Sequence, residues 1–390
     1  MHIGIEFVSS MKIINSIAMY TGGTNYAKMI LKALKETILY KDINITLIVP
    51  TGFKPTVEDE DLFLKNIYQL EYVSNLKEYD YSKLDVIFFP QVNGSTLKII
   101  PKVKACYPHI KIYATLHDRQ HNYYKFDWYD RYYFDGIQRT GLPHFTEYWI
   151  KKLAFSHEFG KCVKYIDKIF TVSNFSMQKL MHKNIQEIKY YIQGNVVENF
   201  QANKKIYSDY ILFVGGGRPE KNLLRTLEAF SLFIIQTGSK TKLKVTGINE
   251  KEKNNILRSH KINMKVLNES VEFLPYVSYQ ELASLYASCK YVVFTSKGEG
   301  YGLPIREAMN YGKTVLASRT TSIPEVAGAA LYYVDPFNIN SICKGFKILD
   351  NEEILSKYER YVLERNEIIK KLSEQDTRIM VEELLNEYGW

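Results

Sequence analysis

Short apolar runs alternate with longer amphipathic segments along most of the chain. Buried strands are predicted at residues 3–7 and 43–49, and apolar side chains at helical spacing predict a helix over residues 24–36 between them. Strand, helix, strand is the repeating unit of a parallel sheet. Further strands in the first half are predicted at residues 85–90, 111–116, 168–172 and 188–197.

The same alternation restarts in the second half, after a polar, lysine-bearing segment over residues 201–209 that suits an interdomain linker. A chain of 390 residues is also longer than one hydrophobic core usually supports. We therefore predict an α/β protein with two parallel-sheet domains. The second domain has predicted strands at residues 210–214, 242–247, 271–278 and 291–295, predicted helices at 251–260 and 281–288, and a charged helical segment over 352–390.

A strand, a glycine loop, a short helix and a second strand form the most informative stretch. Gly298, Gly300 and Gly302 predict a loop of unusual backbone freedom. Pro304 suits the first position of the following helix, and Gly312 suits the residue just past its end. A helix start offers unpaired N–H groups with partial positive charge, and glycines let a ligand approach them closely. The stretch is typical of an anion-binding site.

Two carboxylates belong to the same stretch. Glu299 lies in the predicted loop and Glu307 in the predicted helix, with seven residues between them, so both can face one ligand from different levels. A carboxylate only accepts hydrogen bonds, which suits it to hydroxyl-bearing ligands such as ribose and hexose. The alternative is that Glu307 is a solvated helix residue and that the glycines only turn the chain.

Residues 299–309 (EGYGLPIREAM) resemble the donor-binding signature of the retaining glycosyltransferases of family 4. These belong to the group 1 glycosyltransferases, which include proteins similar to glycogen synthase and to mannosyltransferases. The resemblance implies the GT-B fold, in which two Rossmann-like parallel-sheet domains face each other across a cleft and the last helix crosses back to the first domain. The implied domains are residues 1–200, residues 201–368 and a terminal helix over residues 369–390.

The resemblance also implies an activity. A hexose or deoxyhexose would move from a nucleoside diphosphate sugar, such as a GDP- or UDP-sugar, to a hydroxyl of a glycan or lipid-linked glycan, as in the synthesis of cell-surface polysaccharides. Glu299 would bind the sugar hydroxyls, and Glu307 would bind those of the ribose. No metal ion or other cofactor is expected. The resemblance over residues 299–309 also implies donor-binding roles for Gly300, Tyr301, Gly302 and Leu303.

A second glycine-rich turn, residues 215–217, runs into two cations, Arg218 and Lys221, just before a predicted helix. Arg can bind a diphosphate bidentately and Lys adds a mobile point charge. The resembling family places an arginine and a lysine here for that task, with Gly217 beside the donor. Arg218 sits two glycines later than in the commonest family pattern, so the assignment rests mainly on Lys221. The alternative is a pair of surface charges.

In the first half, His117 follows a predicted strand, and residues just past the carboxyl ends of parallel strands face the ligand crevice. It matches the histidine that contacts the donor sugar near the reacting carbon in the resembling family. The predicted catalytic residues are thus Glu299, Lys221, Arg218 and His117. His117 could instead ligate a metal with His121, although no third ligand is evident, or be purely structural.

Three further positions complete the predicted donor site. Gly22 and Gly23 open the first helix without the spacing of a dinucleotide fingerprint, so no NAD site is predicted. The family has a glycine pair here that approaches the donor phosphate or the acceptor, and a plain helix-start turn is the alternative. Tyr276 lies within residues 273–277, where family members hold the nucleotide base, mostly by backbone groups and stacking.

Two segments allow interpretations outside this scheme. Residues 59–61 (DED) contain the pattern with which glycosyltransferases of the other main fold hold a divalent cation, but they precede the apolar-periodic residues 62–70, where acidic side chains favour a helix start. Residues 122–149 are rich in aromatic and basic side chains. They could pack on themselves, contact an acceptor or a membrane surface, or grip single-stranded nucleic acid.

Composition narrows the picture further. The chain is 46% hydrophobic and 24% charged, and no apolar run approaches the roughly 18 residues of a membrane helix. The N-terminus lacks a secretory signal and the four cysteines are far apart, so a cytoplasmic protein is expected, with contact to the inner face of the membrane left open. A net charge of +8 permits nucleic acid, anionic lipid or a diphosphate as partner. The basic residues are scattered, which argues against nucleic acid.

Two other classes of protein stay open. A sugar-nucleotide epimerase or hydrolase can be built on the same two-domain frame and would consume the donor without an acceptor. The cationic turn followed by the complete block of residues 299–307 argues against it. A catalytically silent binding partner would be expected to lack one of the charged positions, and none is lost.

Overall fold

The computed structural model describes residues 1–14, 17–20, 22–38, 43–55, 59–63, 68–117, 144–180, 188–190, 209–257 and 262–385. The chain forms two compact units. The first comprises Met1–Asp118, Leu153–Asn195 and Lys371–Trp390, and the second comprises Arg119–Lys152 and Val196–Lys370. The linker predicted at residues 201–209 lies outside the described residues apart from Asp209.

A parallel sheet forms the core of the first unit. The first half of the chain contains, in order, β1 (His2–Glu6), β2 (Met11–Ile14), β3 (Ile17–Tyr20), α1 (Gly22–Ile38), β4 (Asn44–Pro50), α2 (Glu60–Phe63), β5 (Gln69–Val73), β6 (Val86–Phe89), α3 (Thr96–Cys106), β7 (Lys111–Leu116), α4 (His144–Val163), β8 (Lys168–Thr171), α5 (Asn174–Gln178) and β9 (Ile188–Tyr190). Seven strands lie parallel in the order β5-β4-β1-β6-β7-β8-β9. The strand order reverses at β1, and ligands of such sheets bind beyond the carboxyl ends at that position.

A second parallel sheet forms the core of the other unit. The second half contains β10 (Tyr210–Phe213), a 3₁₀ turn (Pro219–Lys221), α6 (Leu223–Thr237), β11 (Lys242–Val245), α7 (Glu250–Leu257), α8 (Met264–Ser270), β12 (Val271–Phe273), α9 (Tyr279–Ser288), β13 (Val292–Phe294), α10 (Leu303–Asn310), β14 (Val315–Ser318), α11 (Ile323–Ala327), a second 3₁₀ turn (Gly328–Ala330), β15 (Tyr332–Val334), α12 (Ile339–Leu349) and α13 (Glu352–Leu385). Its six strands are parallel in the order β12-β11-β10-β13-β14-β15. Here the strand order reverses at β10.

The predicted strands are confirmed in type, and most of their bounds agree to within two residues. The apolar runs predicted them well because both sheets are covered on both faces: all four residues of β6 and all four of β14 are buried. The strand expected at residues 188–197 is present over Ile188–Tyr190, and its remainder lies outside the described residues.

Two local predictions are wrong, and one feature was not predicted. The helix expected over residues 62–70 ends at Phe63, and Gln69 begins a strand that pairs with β4, so tertiary pairing overrides the helical spacing. The strand expected over residues 271–278 ends at Phe273, and Ser278 instead caps α9 in a reciprocal arrangement with Glu281. The hairpin of β2 and β3, inserted between β1 and α1, was not predicted.

The last part of α13 packs within the first unit. The hydroxyl of Tyr26 lies 3.0 Å from Sδ of Met380, and Nζ of Lys168 lies 2.8 Å from Oε2 of Glu383. Met380, Val381, Leu384 and Leu385 are buried, whereas Ile379 is 38% exposed. Among the described residues, every helix is too short or too polar to span a lipid bilayer.

Candidate active site

Three neighbouring strands of the second sheet end at one edge and bring the predicted donor-binding loops together there. β10 pairs with β13 through Leu212 and Val292, and β13 pairs with β14 through Phe294 and Ala317. Because the three strands are parallel, the segments that follow them emerge side by side. This strand order lets residues 78 positions apart in the chain make contact.

The turn after β10 requires glycine. Gly215 and Gly216 have φ values of 141° and 68°, and a Cβ atom on Gly216 would lie 2.9 Å from the carbonyl oxygen of Gly247. A Cβ atom on Gly215 would lie 3.1 Å from the Lys221 side chain. The main chain of the turn therefore runs directly against the lysine that it positions.

Lys221 and Glu299 form a buried ion pair. The Nζ atom of Lys221 lies 2.6 Å from Oε1 of Glu299, and the two side chains are only 7% and 10% exposed. The Nζ atom also lies 4.9 Å from the ring centre of Phe294, where the ring face attracts a cation. The structure thus brings two of the predicted catalytic residues into direct contact.

Hydrogen bonds to main-chain carbonyl oxygens tie the two loops together beside this pair. Asn222 has a left-handed backbone with φ of 64°, and its side-chain amide donates to the carbonyl oxygens of Thr295 and Pro336 at 3.1 and 2.7 Å. The N–H of Lys297 donates to the carbonyl oxygen of Glu220 at 2.8 Å. The cationic turn and the glutamate loop therefore form one connected frame.

The segment after β14 clamps the Glu299 loop. The N–H of Glu299 donates to Oγ1 of Thr321 at 3.1 Å. The hydroxyl of Ser322 lies 3.1 Å from the carbonyl oxygen of Glu299 and 3.0 Å from that of Tyr301. Thr321 has a φ of 51°, which is unfavourable for a β-branched residue. Such strain persists only where the surroundings hold the residue in place, as these hydrogen bonds do.

Glu307 is half-buried on α10. The hydroxyl of Tyr286 in α9 donates to Oε2 of Glu307 at 2.7 Å. Burial raises the pKa of Glu307, while the hydrogen bond from Tyr286 and the positive charge of Lys221 act to lower it. Lys221 thus acts on both predicted carboxylates, on Glu299 by contact and on Glu307 through its field.

The helix start that was predicted after the glycine loop is present in α10, with one difference in register. Gly302 precedes the helix with a φ of 105°, and Pro304 is its second residue, one position later than predicted. The N–H of Ile305 donates to the carbonyl oxygen of Gly302, and proline has no N–H. The groups that this helix start can present to an anion are therefore the N–H groups of Gly302 and Leu303.

Two other predicted donor-binding residues have only main-chain groups to offer. Gly300 is buried, and it has no side chain. Tyr301 is buried with its ring directed into the protein, and burial raises its pKa to about 12. The signature therefore contributes backbone at these positions and side-chain chemistry at Glu299 and Glu307.

The remaining predicted residues of the second unit are less constrained. The Arg218 side chain is 54% exposed, and its Nη1 atom contacts Oε1 of Glu220 at 3.2 Å, so it is not part of the Lys221–Glu299 pair. Gly217 is buried. Tyr276 is 78% exposed between β12 and α9, and such a ring is able to stack on a nucleotide base.

In the first unit, His117 lies just past β7. Its Nε2 atom is 2.8 Å from the carbonyl oxygen of Pro90, and its ring packs edge-on against Tyr26 with centroids 4.8 Å apart. Because a carbonyl oxygen only accepts hydrogen bonds, Nε2 carries the proton and Nδ1 is an acceptor. Burial lowers the pKa of His117 to about 4. The imidazole is therefore neutral near pH 7 and suited to accept a hydrogen bond from a hydroxyl.

The glycine pair of the first unit lies at the start of α1, which begins at Gly22, two residues earlier than predicted. A Cβ atom on Gly23 would lie 2.2 Å from Oε1 of Gln91. The carboxamide of Gln91 thus lies against the helix start, and a larger residue at position 23 would have to displace that side chain.

The acidic triplet behaves as a helix start. Oδ2 of Asp59 lies 2.7 Å from Nζ of Lys28, and Glu60 and Asp61 occupy the first turn of α2. Within the described ranges, no group of three or more His, Cys, Asp and Glu side chains is arranged to hold a metal ion. His121 and most of the aromatic segment over 122–149 lie outside those ranges.

The structure adds residues that were not predicted for the site. Tyr286, Thr321 and Ser322 hold predicted residues through the hydrogen bonds described above, and Asn222 ties the cationic turn to the end of the strand that precedes the Glu299 loop. Asn222 carries a local signal, since it adjoins Lys221 and asparagine tolerates the left-handed backbone. The others act through contacts between segments that are distant in the chain, so no local pattern identifies them.

Comparison with known proteins finds a matching family and a common fold. Residues 196–365 match the family described as glycosyl transferases group 1. Over 99% of its length, the chain superimposes on 98% of sucrose-phosphate synthase from Thermosynechococcus elongatus, with a TM-score of 0.69 and 12% identity. It also matches 99% of HepE from Anabaena, solved with UDP and glucose, with a TM-score of 0.62 and 14% identity. The fold is the two-domain α/β GT-B fold.

Among curated proteins, this chain is similar to several mannosyltransferases. It is 32% identical to O-antigen chain mannosyltransferase B of Escherichia coli over 36% of this chain and 37% of that protein. It is 28% identical to the serotype-specific mannosyltransferase WbdA of Escherichia coli over 52% of this chain and 26% of that protein. It is 26% identical to O-antigen chain mannosyltransferase RfbU of Salmonella typhimurium over 56% of this chain and 61% of that protein. The matches thus span less than two thirds of these relatives' own lengths.

Proposed function

We propose that this protein is a retaining glycosyltransferase that moves a hexose, mannose in the first instance, from a nucleoside diphosphate sugar to a hydroxyl of a glycan or lipid-linked glycan. The observation that carries the proposal is the buried contact of Lys221 with Glu299, close enough to Glu307 for the lysine to influence both carboxylates. The names of the similar mannosyltransferases favour mannose. A cytoplasmic location beside the membrane is part of the proposal.

Stabilisation of the leaving group is the central chemical task. When the sugar departs, negative charge develops on the nucleoside diphosphate, and fixed positive groups aimed at that charge lower the barrier. Lys221 and the N–H groups of Gly302 and Leu303 are the proposed stabilisers, with the exposed Arg218 adding charge at longer range. These groups supply the charge without a metal ion, so metal independence belongs to the proposal.

Recognition of the donor falls to the two carboxylates. Glu299 would accept hydrogen bonds from sugar hydroxyls, and Glu307 from the ribose hydroxyls. His117, neutral with Nδ1 as acceptor, would contact a sugar hydroxyl and would not act as an acid. Retention would follow if the donor phosphate helps to deprotonate the acceptor on the face from which it leaves.

A two-stage assay tests this function. First, GDP-mannose and a panel of other GDP- and UDP-sugars are screened for binding by thermal shift, since only a bound donor stabilises the fold appreciably. The donor found is then incubated with glycan and lipid-linked glycan acceptors, and the product's anomeric configuration is read by NMR. The expected result is transfer that requires acceptor and retains configuration.

Controls separate this result from its alternatives. Transfer should persist in excess EDTA and fail in Lys221→Met, while Lys344→Met, which removes an exposed lysine on α12, should keep it. Donor consumption at the same rate without acceptor would instead identify a hydrolase or epimerase. Binding of no nucleotide sugar at all would reject the proposal.

A further inference from the structure

The carboxylate of Glu307 is held by a residue that no comparison assigns to the site. The hydroxyl of Tyr286 donates to Oε2 of Glu307 at 2.7 Å, and the Tyr286 side chain is almost completely buried. A carboxylate has two acceptor oxygens. Tyr286 takes one of them, so a ligand hydroxyl can bind the other.

The tyrosine ring is itself fixed. It stacks on the ring of Tyr311 with centroids 5.6 Å apart and planes inclined by 6°. Tyr311 follows Glu307 by four residues at the end of α10, so the two side chains lie on the same face of that helix. Tyr286 runs along this face, with its ring held at one end and its hydroxyl bonded at the other. The orientation of Glu307 is therefore set by α9 and not by α10 alone.

We propose that Tyr286 is a positioning residue of the donor site, which holds the Glu307 carboxylate in the orientation and charged form that bind the ribose of the donor. This inference rests on the proposed function. Tyr286 touches no reacting atom in this scheme, and its whole effect passes through Glu307. Ribose is remote from the bond that breaks, so losing this contact weakens donor binding equally in the ground and transition states.

The charge state of Glu307 supplies an independent readout. Three titratable groups face it: Tyr286 from α9, Lys221 from the 3₁₀ turn and Tyr311 from the end of α10. Burial raises the pKa of Glu307, and the hydrogen bond from Tyr286 opposes that rise. Burial also raises the pKa of Tyr286 well above its usual value and that of Tyr311 to about 12, so both phenols keep their protons in the acidic range. Without the Tyr286 hydroxyl, the pKa of Glu307 rises further, and nucleotide affinity is lost at a higher pH on acidification.

The test compares Tyr286→Phe with a control variant, Tyr210→Phe. Tyr210→Phe also removes a hydroxyl that is bonded to α9, at 2.9 Å from the carbonyl oxygen of Leu285, but Tyr210 lies on β10 and bonds to this carbonyl instead of to Glu307. Dissociation constants of UDP and GDP are measured by calorimetry between pH 5 and 8, and KM and kcat with the donor at pH 7.5. Tyr286→Phe should raise Kd and KM about tenfold with kcat within about twofold of the starting protein, because the lost bond involves a charged group.

A double-mutant cycle with Glu307→Ala, which removes the acceptor of the Tyr286 hydroxyl, separates positioning from general stability. If Tyr286 acts through Glu307, Tyr286→Phe should weaken nucleotide binding no further in the Glu307→Ala protein. Equal losses in both backgrounds, or a Kd and pH profile that match those of Tyr210→Phe, would overturn the role of Tyr286 while leaving the proposed function intact. Failure of the unaltered protein to bind any nucleotide would reject both.

Discussion

The two sheets share one design, yet the polar residues at their carboxyl edges are organised differently. In the second unit, Lys221 and Glu299 form a buried ion pair, and Glu307 lies within the field of the same lysine. In the first unit, His117 is neutral and bonded to a main-chain carbonyl. Glu6, at the end of β1, is completely buried, and burial raises its pKa to about 7.

This difference indicates a division of labour under the proposed function. Fixed opposite charges in one unit suit a diphosphate and the hydroxyls of its sugar and ribose. The neutral imidazole of His117 in the other unit suits a hydroxyl group. Changing the charges of the second unit should therefore affect turnover most, whereas changes in the first should show mainly as a dependence on pH.

The largest effect is expected from breaking the ion pair. Lys221→Ala removes a preorganised cation, so turnover should fall roughly 100- to 1000-fold. It also leaves the buried Glu299 uncompensated, and the free energy of unfolding should drop by roughly 3–5 kcal/mol. Steady-state kinetics and urea unfolding measure the two losses.

The double variant Lys221→Met with Glu299→Gln separates the loss of turnover from the loss of stability. It removes both charges, so it should regain much of the unfolding free energy while staying inactive. Recovered turnover in this protein would show that the pair is structural only.

A smaller loss is expected from the clamp on the Glu299 loop. Thr321→Val keeps the branched shape but removes the oxygen that accepts the N–H of Glu299. An unsatisfied N–H costs about 1–3 kcal/mol. We expect turnover to fall about tenfold because the Glu299 loop is then held less firmly. Thr321→Ser, which keeps the hydroxyl, is the control and should behave like the unaltered protein. Similar kinetics for the two variants would argue against the clamp.

In the first unit, His117 should make stability depend on pH. Its pKa is lowered from 6.5 to about 4 in the folded protein, so between these values the unfolded chain binds more protons than the folded one. This contribution is complete above pH 6.5 and is lost progressively as the pH falls towards 4. Urea midpoints at pH 7.5 and 4.5 should differ less for His117→Asn than for the unaltered protein, whereas parallel profiles would contradict the assignment.

The smallest effect is expected at Arg218. Its side chain is exposed and pairs with Glu220 at the surface, where such pairs contribute about 0–1 kcal/mol. Arg218→Ala should raise the donor KM by at most about fivefold at low salt, and the difference should shrink as salt screens the charge. A loss as large as that of Lys221→Ala would show that Arg218 turns inward when the donor binds.

Much of the fold could be predicted because the sequence signals for its strands and helices lie within a few neighbouring residues. Fully buried parallel strands appear in the sequence as short apolar runs, as at Val86–Phe89 and Val315–Ser318. The glycine loop and the helix at Leu303–Asn310 follow from residues within a few positions of one another. The acidic start of α2 was also predicted, whereas β5 was not, because its strand form depends on pairing with β4.

The sequence by itself determined which residues stand at the ends of the strands, since backbone preference and apolar periodicity act over a few neighbouring positions. Only the tertiary structure decided which strand ends are adjacent, and hence that Lys221 meets Glu299 across 78 positions. It also decided that the Tyr301 ring turns inward, that Arg218 stays exposed and that the Tyr286 hydroxyl reaches Glu307. Those outcomes depend on parallel pairing and on packing between distant segments, which no short stretch of sequence encodes.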